Sequence, residues 1–318
     1  RTYQDAQLRI HHRLGDRKDL TLIGIGGWDK YRLYTEGRGS DALLYNVGYI
    51  PEGQQQTEVL GLRYRIFKDN GRWEYVVSRD HVGNQAEKYI GNTTLESDRQ
   101  LDYASVENNT RASLTHFVVS DTWQWKYGIN ATARQSSLDM WSLRYNHDPS
   151  VAGLDTADYQ SEVLFGSFGA FTHLTKNYLD NRLTTSAGLR LDAHTLNLNS
   201  VNPLAQLSPR MSAQYHINPS WAVQGSLGRY TQLPSAITVL ANAAKNWSRY
   251  SAPAKVSQAT AGIEFQNGET YRFSLEGYYK RYKDLPFLWE DNISFTQAIG
   301  AYVAVGDQVS SSIADGRS

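Results

Sequence analysis

The residues best suited to chemistry are the eight histidines, at positions 11, 12, 81, 116, 147, 173, 194 and 216. They are scattered over separate segments. His11 and His12 are adjacent, so on any extended strand they point to opposite faces and cannot chelate one ion without a bulge. His194 and His216 lie on segments that would be hairpin neighbours, and two polar wall residues explain them more simply than a metal site. With no cysteine, the chain has no disulfide, iron–sulfur cluster or thiolate zinc site. There is no Gly-x-Ser-x-Gly elbow, phosphate loop or zinc-binding helix motif. Carboxylate pairs occur only among other charges, which gives glycoside chemistry no footing. The sequons Asn92-Thr93-Thr94 and Asn246-Trp247-Ser248 match a pattern common by chance. The expectation is a protein that is not an enzyme and holds no cofactor or metal.

The charged residues are more informative for their spacing. In YRFSLEGYYKRYKDLP (271–286), Tyr271, Phe273, Leu275 and Tyr279 alternate with Arg272, Glu276 and Lys280. The same sorting recurs elsewhere. Leu183, Ala187, Leu189, Leu191 and Ala193 alternate with Thr184, Ser186, Arg190, Asp192 and His194. Leu207, Met211, Ala213, Tyr215 and Ile217 alternate with Ser208, Arg210, Ser212, Gln214 and His216. Trp123, Trp125, Tyr127, Ile129 and Ala131 oppose Gln124, Lys126, Asn130, Thr132 and Arg134, and Leu60, Leu62, Tyr64 and Ile66 oppose Arg63 and Arg65. Arg229 is an exception, near a strand end where a long side chain can snorkel. A period of two means strands with one oily and one ionic face.

The 318 residues carry 32 basic and 32 acidic side chains, so net charge gives no reason to expect nucleic acid. Mean hydropathy is −0.54. No run approaches the roughly 18 apolar residues of a membrane helix. A β-barrel escapes that test, because only alternate residues face lipid. The 21 Tyr and 8 Trp are a heavy aromatic load, and such residues favour strands and membrane–water interfaces.

Read for turns, the chain gives about a dozen strands and almost no helix. Short turns at GDRKD, KDNG, SDT, TKNYLDN, NPS and QNG alternate with longer polar segments at roughly 29–57, 80–98, 143–158, 198–206, 236–256 and 284–318. Short connections thus fall at one end of the sheet and long ones at the other, the asymmetry of an up-and-down outer-membrane barrel. A soluble sandwich also alternates, but its strands run to five or six residues and need not gather aromatics at their ends. Here Trp123, Trp125, Trp221, Tyr230, Tyr279 and Tyr282 lie near strand ends. The expected fold is all-β: an antiparallel up-and-down transmembrane β-barrel.

Three blocks then carry a family resemblance: AGLRLD (187–192), LSPRMSAQYHINPSWAVQGSLGRYTQLPS (207–235) and SLEGYYKRYKDLP (274–286), with IADGRS (313–318) at the close. They resemble the barrel of a TonB-dependent outer-membrane receptor, in order and separation. The resemblance implies a 22-stranded barrel filled by an N-terminal plug. About twelve strands are visible, so residues 1–318 are read as part of one transmembrane barrel domain, with the plug domain and final strands outside this chain. A complete 12-stranded barrel is the structural alternative.

The resemblance also implies import of a scarce nutrient (siderophore, vitamin, glycan or peptide) across the outer membrane of a Gram-negative bacterium. Its partners would be outer-membrane lipid, the plug of the same protein, a TonB-type energy transducer acting through a TonB box, and a surface lipoprotein. Arg190, Asp192, Arg210, Arg272, Glu276 and Lys280 are expected to face the lumen and hold the plug. Tyr45, Tyr49, Trp247, Tyr250, Phe287 and Trp289 would offer stacking area to a ligand from the long loops. The rival functions are a passive porin or smaller barrel, and an adhesive or structural surface barrel.

Overall fold

The computed structural model describes residues 1–33, 47–48, 50–145, 153–198, 200–233, 240, 252–268, 270–288, 293–294 and 309–317, with side chains of 144–145, 154–155 and everything from 285 onward left aside. Twelve long strands follow one another: β1 Thr2–Arg13, β2 Lys18–Tyr31, β3 Glu52–Lys68, β4 Gly71–Tyr89, β5 Arg99–Val119 and β6 Trp123–Tyr145. They continue with β7 Leu154–Tyr178, β8 Leu183–His194, β9 Ser208–His216, β10 Trp221–Gln232, β11 Ala254–Asn267 and β12 Tyr271–Leu288. Two further pieces, β13 Ile293–Ser294 and β14 Val309–Arg317, both pair with β12. From β1 to β13 each strand is the antiparallel neighbour of the next in one sheet. Among the described residues β1 has no second partner.

The register fixes which side chains share a face. Leu189 stands opposite Pro209, Met211 opposite Leu227, Ile263 opposite Leu275, and Ile129 opposite both Leu114 and Ala170. The other face carries Asp19 opposite Arg65, Arg72 opposite Phe117, Asn109 opposite Arg134, and Gln266 opposite Arg272. The alternation read from sequence therefore holds across the sheet. Polar-face side chains crowd one another: Thr21 is 0% exposed and Ser136 1%, against 59% for Ile129 and 74% for Leu275. Side chains converge on the inside of a curve and diverge on its outside, so the polar face is concave and the apolar face convex.

The apolar band has aromatic margins. At the short-turn end Trp73 stacks on His116 at 4.0 Å, His116 Nδ1 lies 2.8 Å from the Tyr127 hydroxyl, and Trp221 packs against Phe265 at 4.8 Å. The turns themselves are tight. Gly15 and Gly268 take positive φ, whereas Gly71 does not. Gly71 is needed for a different reason, because a Cβ there would collide with the carbonyl oxygen of Phe117.

At the long-loop end the strands run further than the sequence suggests. β4 continues to Tyr89 through the segment read as a loop from 80, and β7 begins at Leu154, inside the segment read as a loop to 158. The 25 residues of β7 span about 80 Å, far more than an apolar band ~25 Å tall requires. On these extensions the faces exchange character. Asp139, Asp158 and Glu162 are convex and exposed, while Ala86, Tyr103, Leu138 and Met140 form a buried cluster on the concave side. Leu240, from the β10–β11 connection, completes that cluster at 1% exposure. The tightest apolar packing is therefore at the concave mouth and not between two sheet layers.

Candidate functional site: the concave polar wall

Each charged side chain of the concave wall is placed by strand register, and most find a local partner. Arg65 donates to both carboxylate oxygens of Asp19, at 2.9 and 2.6 Å. Thr21 beside it is 3.0 Å from His11 Nδ1 and accepts from Arg63 at 3.5 Å. Further up, Asp80 pairs with Arg111 and accepts from Asn109 at 2.7 Å, and Arg134 Nε donates to Asn109 Oδ1 at 2.9 Å. Paired ions of this kind cost less to bury than isolated ones.

Arg190 and Asp192 are two residues apart on β8, hence on the same face, and form a bidentate pair at 2.7 and 2.6 Å. Gly169 opposite makes room for them: a Cβ there would lie 2.8 Å from both Arg190 and Asp192 and 2.6 Å from Asn130 Oδ1. Arg272 reaches Glu264 at 2.9 Å.

A second set of cations rests on aromatic rings and has no carboxylate partner among the described residues. Arg72 lies 3.9 Å from the Phe117 ring centre, and Lys126 5.1 Å from Phe117 and 5.6 Å from Phe171. Arg210 sits 4.3 Å over Tyr230 and Lys280 4.9 Å over Tyr278. Cation–π contacts of this type leave the hydrogen-bonding edge of each cation free. Among the described residues the Nε atoms of Arg63 and Arg72 are buried without an acceptor. Lys126, Phe171, His173, Arg190, Arg210 and Tyr230 line a hollow of about 580 Å³ on this wall.

All six residues expected on the inner wall share the concave face, but they form no single cluster. Arg190 with Asp192 and Arg272 with Glu264 are separate pairs, Arg210 and Lys280 lie on rings, and Glu276 has no ion-pair partner among the described residues. Of the loop aromatics, Tyr45, Tyr49, Trp247, Tyr250 and Trp289 fall outside the described residues. Phe287 lies in β12, its backbone paired with Ser294 and Ser310. His194 and His216 do not meet. β8 and β9 are antiparallel, with Leu183 opposite Tyr215, so His216 sits at the short-turn end by Arg182 while His194 sits at the other end beside Ser167 at 2.8 Å. No three His, Asp or Glu side chains converge as metal ligands among the described residues.

Sequence reasoning missed Asp19, Asp80 and Asn109, whose partners are 25 to 46 residues away. It also missed Leu240, whose carbonyl accepts from the hydroxyls of Tyr159 and Ser161, the latter at 2.9 Å. The bare alternation of Asp19 with Leu20 and Leu22 was a signal for the first of these. Nothing local marks Leu240.

The architecture has known counterparts. The family model of the TonB dependent receptor-like β-barrel matches residues 3–312. Comparison with curated protein sequences finds no significant match. Among solved structures the chain is similar to the copper transporter OprC, with 17% identity, TM-score 0.65 and coverage of 90% of this chain and 46% of that one. It is similar to the ferric enterobactin receptor PfeA of Pseudomonas aeruginosa, with 13% identity, TM-score 0.63 and coverage of 89% and 43%. It also resembles the siderophore receptor PirA of Acinetobacter baumannii, with 13% identity, TM-score 0.60 and coverage of 99% and 47%. The chain spans about half the length of these structures. At such identities the likeness is one of fold, and it is the family match across nearly the whole chain that decides: this chain belongs to the TonB-dependent receptors, a family of outer-membrane transport proteins, and forms β-barrel wall.

Proposed function

We propose that this chain is a wall section of an energised outer-membrane importer of a Gram-negative bacterium, and that its cargo is an anionic complex of a scarce nutrient. The observation that carries the cargo class is the second set of cations, Arg72, Lys126, Arg210 and Lys280, which lie on rings and not against carboxylates. A path for bare metal cations would be repelled by them. The similar structures are named for copper, ferric enterobactin and siderophores, and the cationic wall favours the chelated members of that group. Vitamins, glycans and peptides bearing acidic groups fit the same reasoning.

In this reading the wall is completed by further strands into a 22-stranded barrel, because an unpaired strand edge such as that of β1 is costly in lipid. The plug domain fills the concave side, meeting Arg190, Asp192, Arg210, Arg272, Glu276 and Lys280. Tyr45, Tyr49, Trp247, Tyr250, Phe287 and Trp289 capture ligand at the outer mouth, with or without a surface lipoprotein. A TonB-type transducer supplies the energy.

The test is uptake by whole cells of the source bacterium, with the gene deleted and restored. Import of a radiolabelled ferric chelate that requires the gene and stops when the proton-motive force is collapsed supports the reading. Flux of small solutes that depends on the gene and survives collapse of the force identifies a passive pore instead. Normal uptake of every nutrient after deletion leaves a structural or adhesive barrel.

A further inference from the structure

The ring-bound cations Arg72, Lys126, Arg210 and Lys280 come from β4, β6, β9 and β12, yet register puts them on one line. Arg72 pairs across to Phe117 and Phe117 to Lys126; Lys126 pairs to His173, His173 to Gly188, and Gly188 to Arg210. From Arg210 the line continues through Gly228 and Gln258 to Lys280. No carboxylate stands on it. Glu74, the next concave residue after Arg72, faces Arg65, and Glu276 is four residues from Lys280. Asp192 and Glu264 are held by Arg190 and Arg272.

The line is oblique to the wall. Arg72 is one residue from the short-turn end of its strand at Gly71, Lys126 three from Trp123, Arg210 six from His216 and Lys280 nine from Tyr271. From Arg72 to Lys280 the climb is about 26 Å measured along a strand, or about 20 Å of height at the usual tilt of about 40°. The cations therefore rise most of the way across an apolar band about 25 Å tall. Along the short-turn side runs a second line, of hydroxyls: Thr175, Ser186, Ser212, Ser226, Thr260 and Tyr278. Two kinds of anion-binding donor thus lie side by side.

Midway the line opens. The Tyr230 ring covers Gly228, where a Cβ would lie 2.8 Å from it. Gly188 is left bare: a Cβ there meets nothing nearer than the Thr172 carbonyl oxygen at 3.4 Å. Gly188 lies in the floor of the hollow of about 580 Å³, with Lys126 and His173 to one side, Arg210 to the other and Ser186 and Ser212 along its edge. Lys126 and Arg210 stand three strand spacings apart, about 14 Å. Both are exposed, and both are long enough to reach toward a ligand held between them. Charge-assisted hydrogen bonds from such donors are about twice as strong as neutral ones.

We infer that the hollow over Gly188 binds a small, multiply charged oxyanion, and that the line from Lys280 to Arg72 is the track along which the anionic groups of a cargo pass. The inference rests on the importer reading and gives it a route.

The probe is inorganic pyrophosphate, its phosphorus NMR line titrated with full-length protein in uncharged detergent. The wild type broadens the line saturably. K126Q/R210Q weakens binding about tenfold or more, as expected for lost hydrogen bonds from charged donors, and G188W does the same with every charge in place. R9Q/R13Q, which removes two cations of the same face from β1, leaves binding unchanged. Heat-modifiable migration on gels verifies that each variant folds. No saturable broadening by the wild type, unchanged binding in K126Q/R210Q or G188W, or equal loss in R9Q/R13Q overturns the site. In whole cells R72Q/K280Q, at the two ends of the line, lowers the initial rate of ferric-chelate uptake about tenfold at equal surface amount; an unchanged rate overturns the track. Energised uptake by a protein that does not bind pyrophosphate keeps the importer and removes the site. Pyrophosphate binding without energised uptake of any chelate keeps the site and removes the importer.

Discussion

Ser161 Oγ donates to the carbonyl oxygen of Leu240 at 2.9 Å, joining β7 to the connection between β10 and β11 across 79 residues. The Leu240 side chain enters the cluster of Ala86, Tyr103, Leu138 and Met140 at the concave mouth. One residue of the long connection is thus fixed to the inner wall by both its backbone and its side chain.

Leu240→Ala is expected to destabilise that mouth cluster by about 2–4 kcal/mol, the range for truncating a buried leucine. The chain has two methionines, which makes the effect readable. The methyl resonance of Met140, 1% exposed within the cluster, shifts in the variant, while that of Met211 on the convex face does not. An unmoved Met140 resonance contradicts the docking.

Asp19 and Arg65 test the ion pairs of the concave wall. Asp19→Ala leaves the Arg65 guanidinium half-buried without its carboxylate and costs about 2–4 kcal/mol, somewhat under the 3–5 of a fully buried pair. Asp19→Leu combined with Arg65→Leu recovers most of the loss. Urea unfolding in lipid vesicles measures both. Equal losses in the single and double variants would show that the pair itself is not what stabilises the wall.

Leu275 and Ser274 are adjacent on β12 and face opposite ways. Leu275→Arg puts a cation into the apolar band and lowers stability by about 2–4 kcal/mol. Ser274→Arg places it on the concave side, near Glu264, at a cost below about 1 kcal/mol. Folding free energies in vesicles separate them, and comparable losses would contradict the assignment of faces.

Lys88, beyond the apolar band at the end of β4, donates to the carbonyls of Val47 at 3.1 Å and Ile50 at 3.0 Å and to Asn92 Oδ1 at 2.5 Å. Burial holds its pKa below the ordinary lysine value of 10.5, with Glu52 acting in the opposite sense. Between the lowered value and 10.5 the unfolded chain binds more protons than the native one, so this residue makes stability rise with pH in that window. Lys88→Met costs about 1–3 kcal/mol by leaving two carbonyls without their donor, and it flattens the alkaline slope of the urea midpoint. A slope identical to wild type would exclude the effect.

How much of this was legible in the sequence follows from where solvent lies. Between Leu183 and Ala193, or Trp123 and Ala131, one face meets apolar surroundings and the other polar ones, and the period of two is plain. From Asp80 to Lys88 polar side chains stand on both faces, His81, Gln85 and Glu87 alternating with Asp80, Asn84 and Lys88, so a strand reads as a loop. Gly71 looked like a turn glycine, but the requirement comes from β5, a strand it meets through tertiary pairing. The charges of the concave wall were legible as one face of the strands. Their partners were not, because pairs such as Asp19 with Arg65 depend on register between strands far apart in sequence.

Met211 and its neighbour Ser212 stand on opposite faces of β9, the first towards lipid and the second inward if the sheet is membrane wall. The chain has no cysteine, so single spin labels at 209, 211 and 213, and at 208, 210 and 212, can be compared directly in reconstituted bilayers. Labels at 209, 211 and 213 should collide with membrane-dissolved oxygen and be shielded from a water-soluble nickel chelate, alternating residue by residue with the other three. Labels at 211 and 213 that are reached by neither reagent, or more readily by the nickel chelate, would contradict the account.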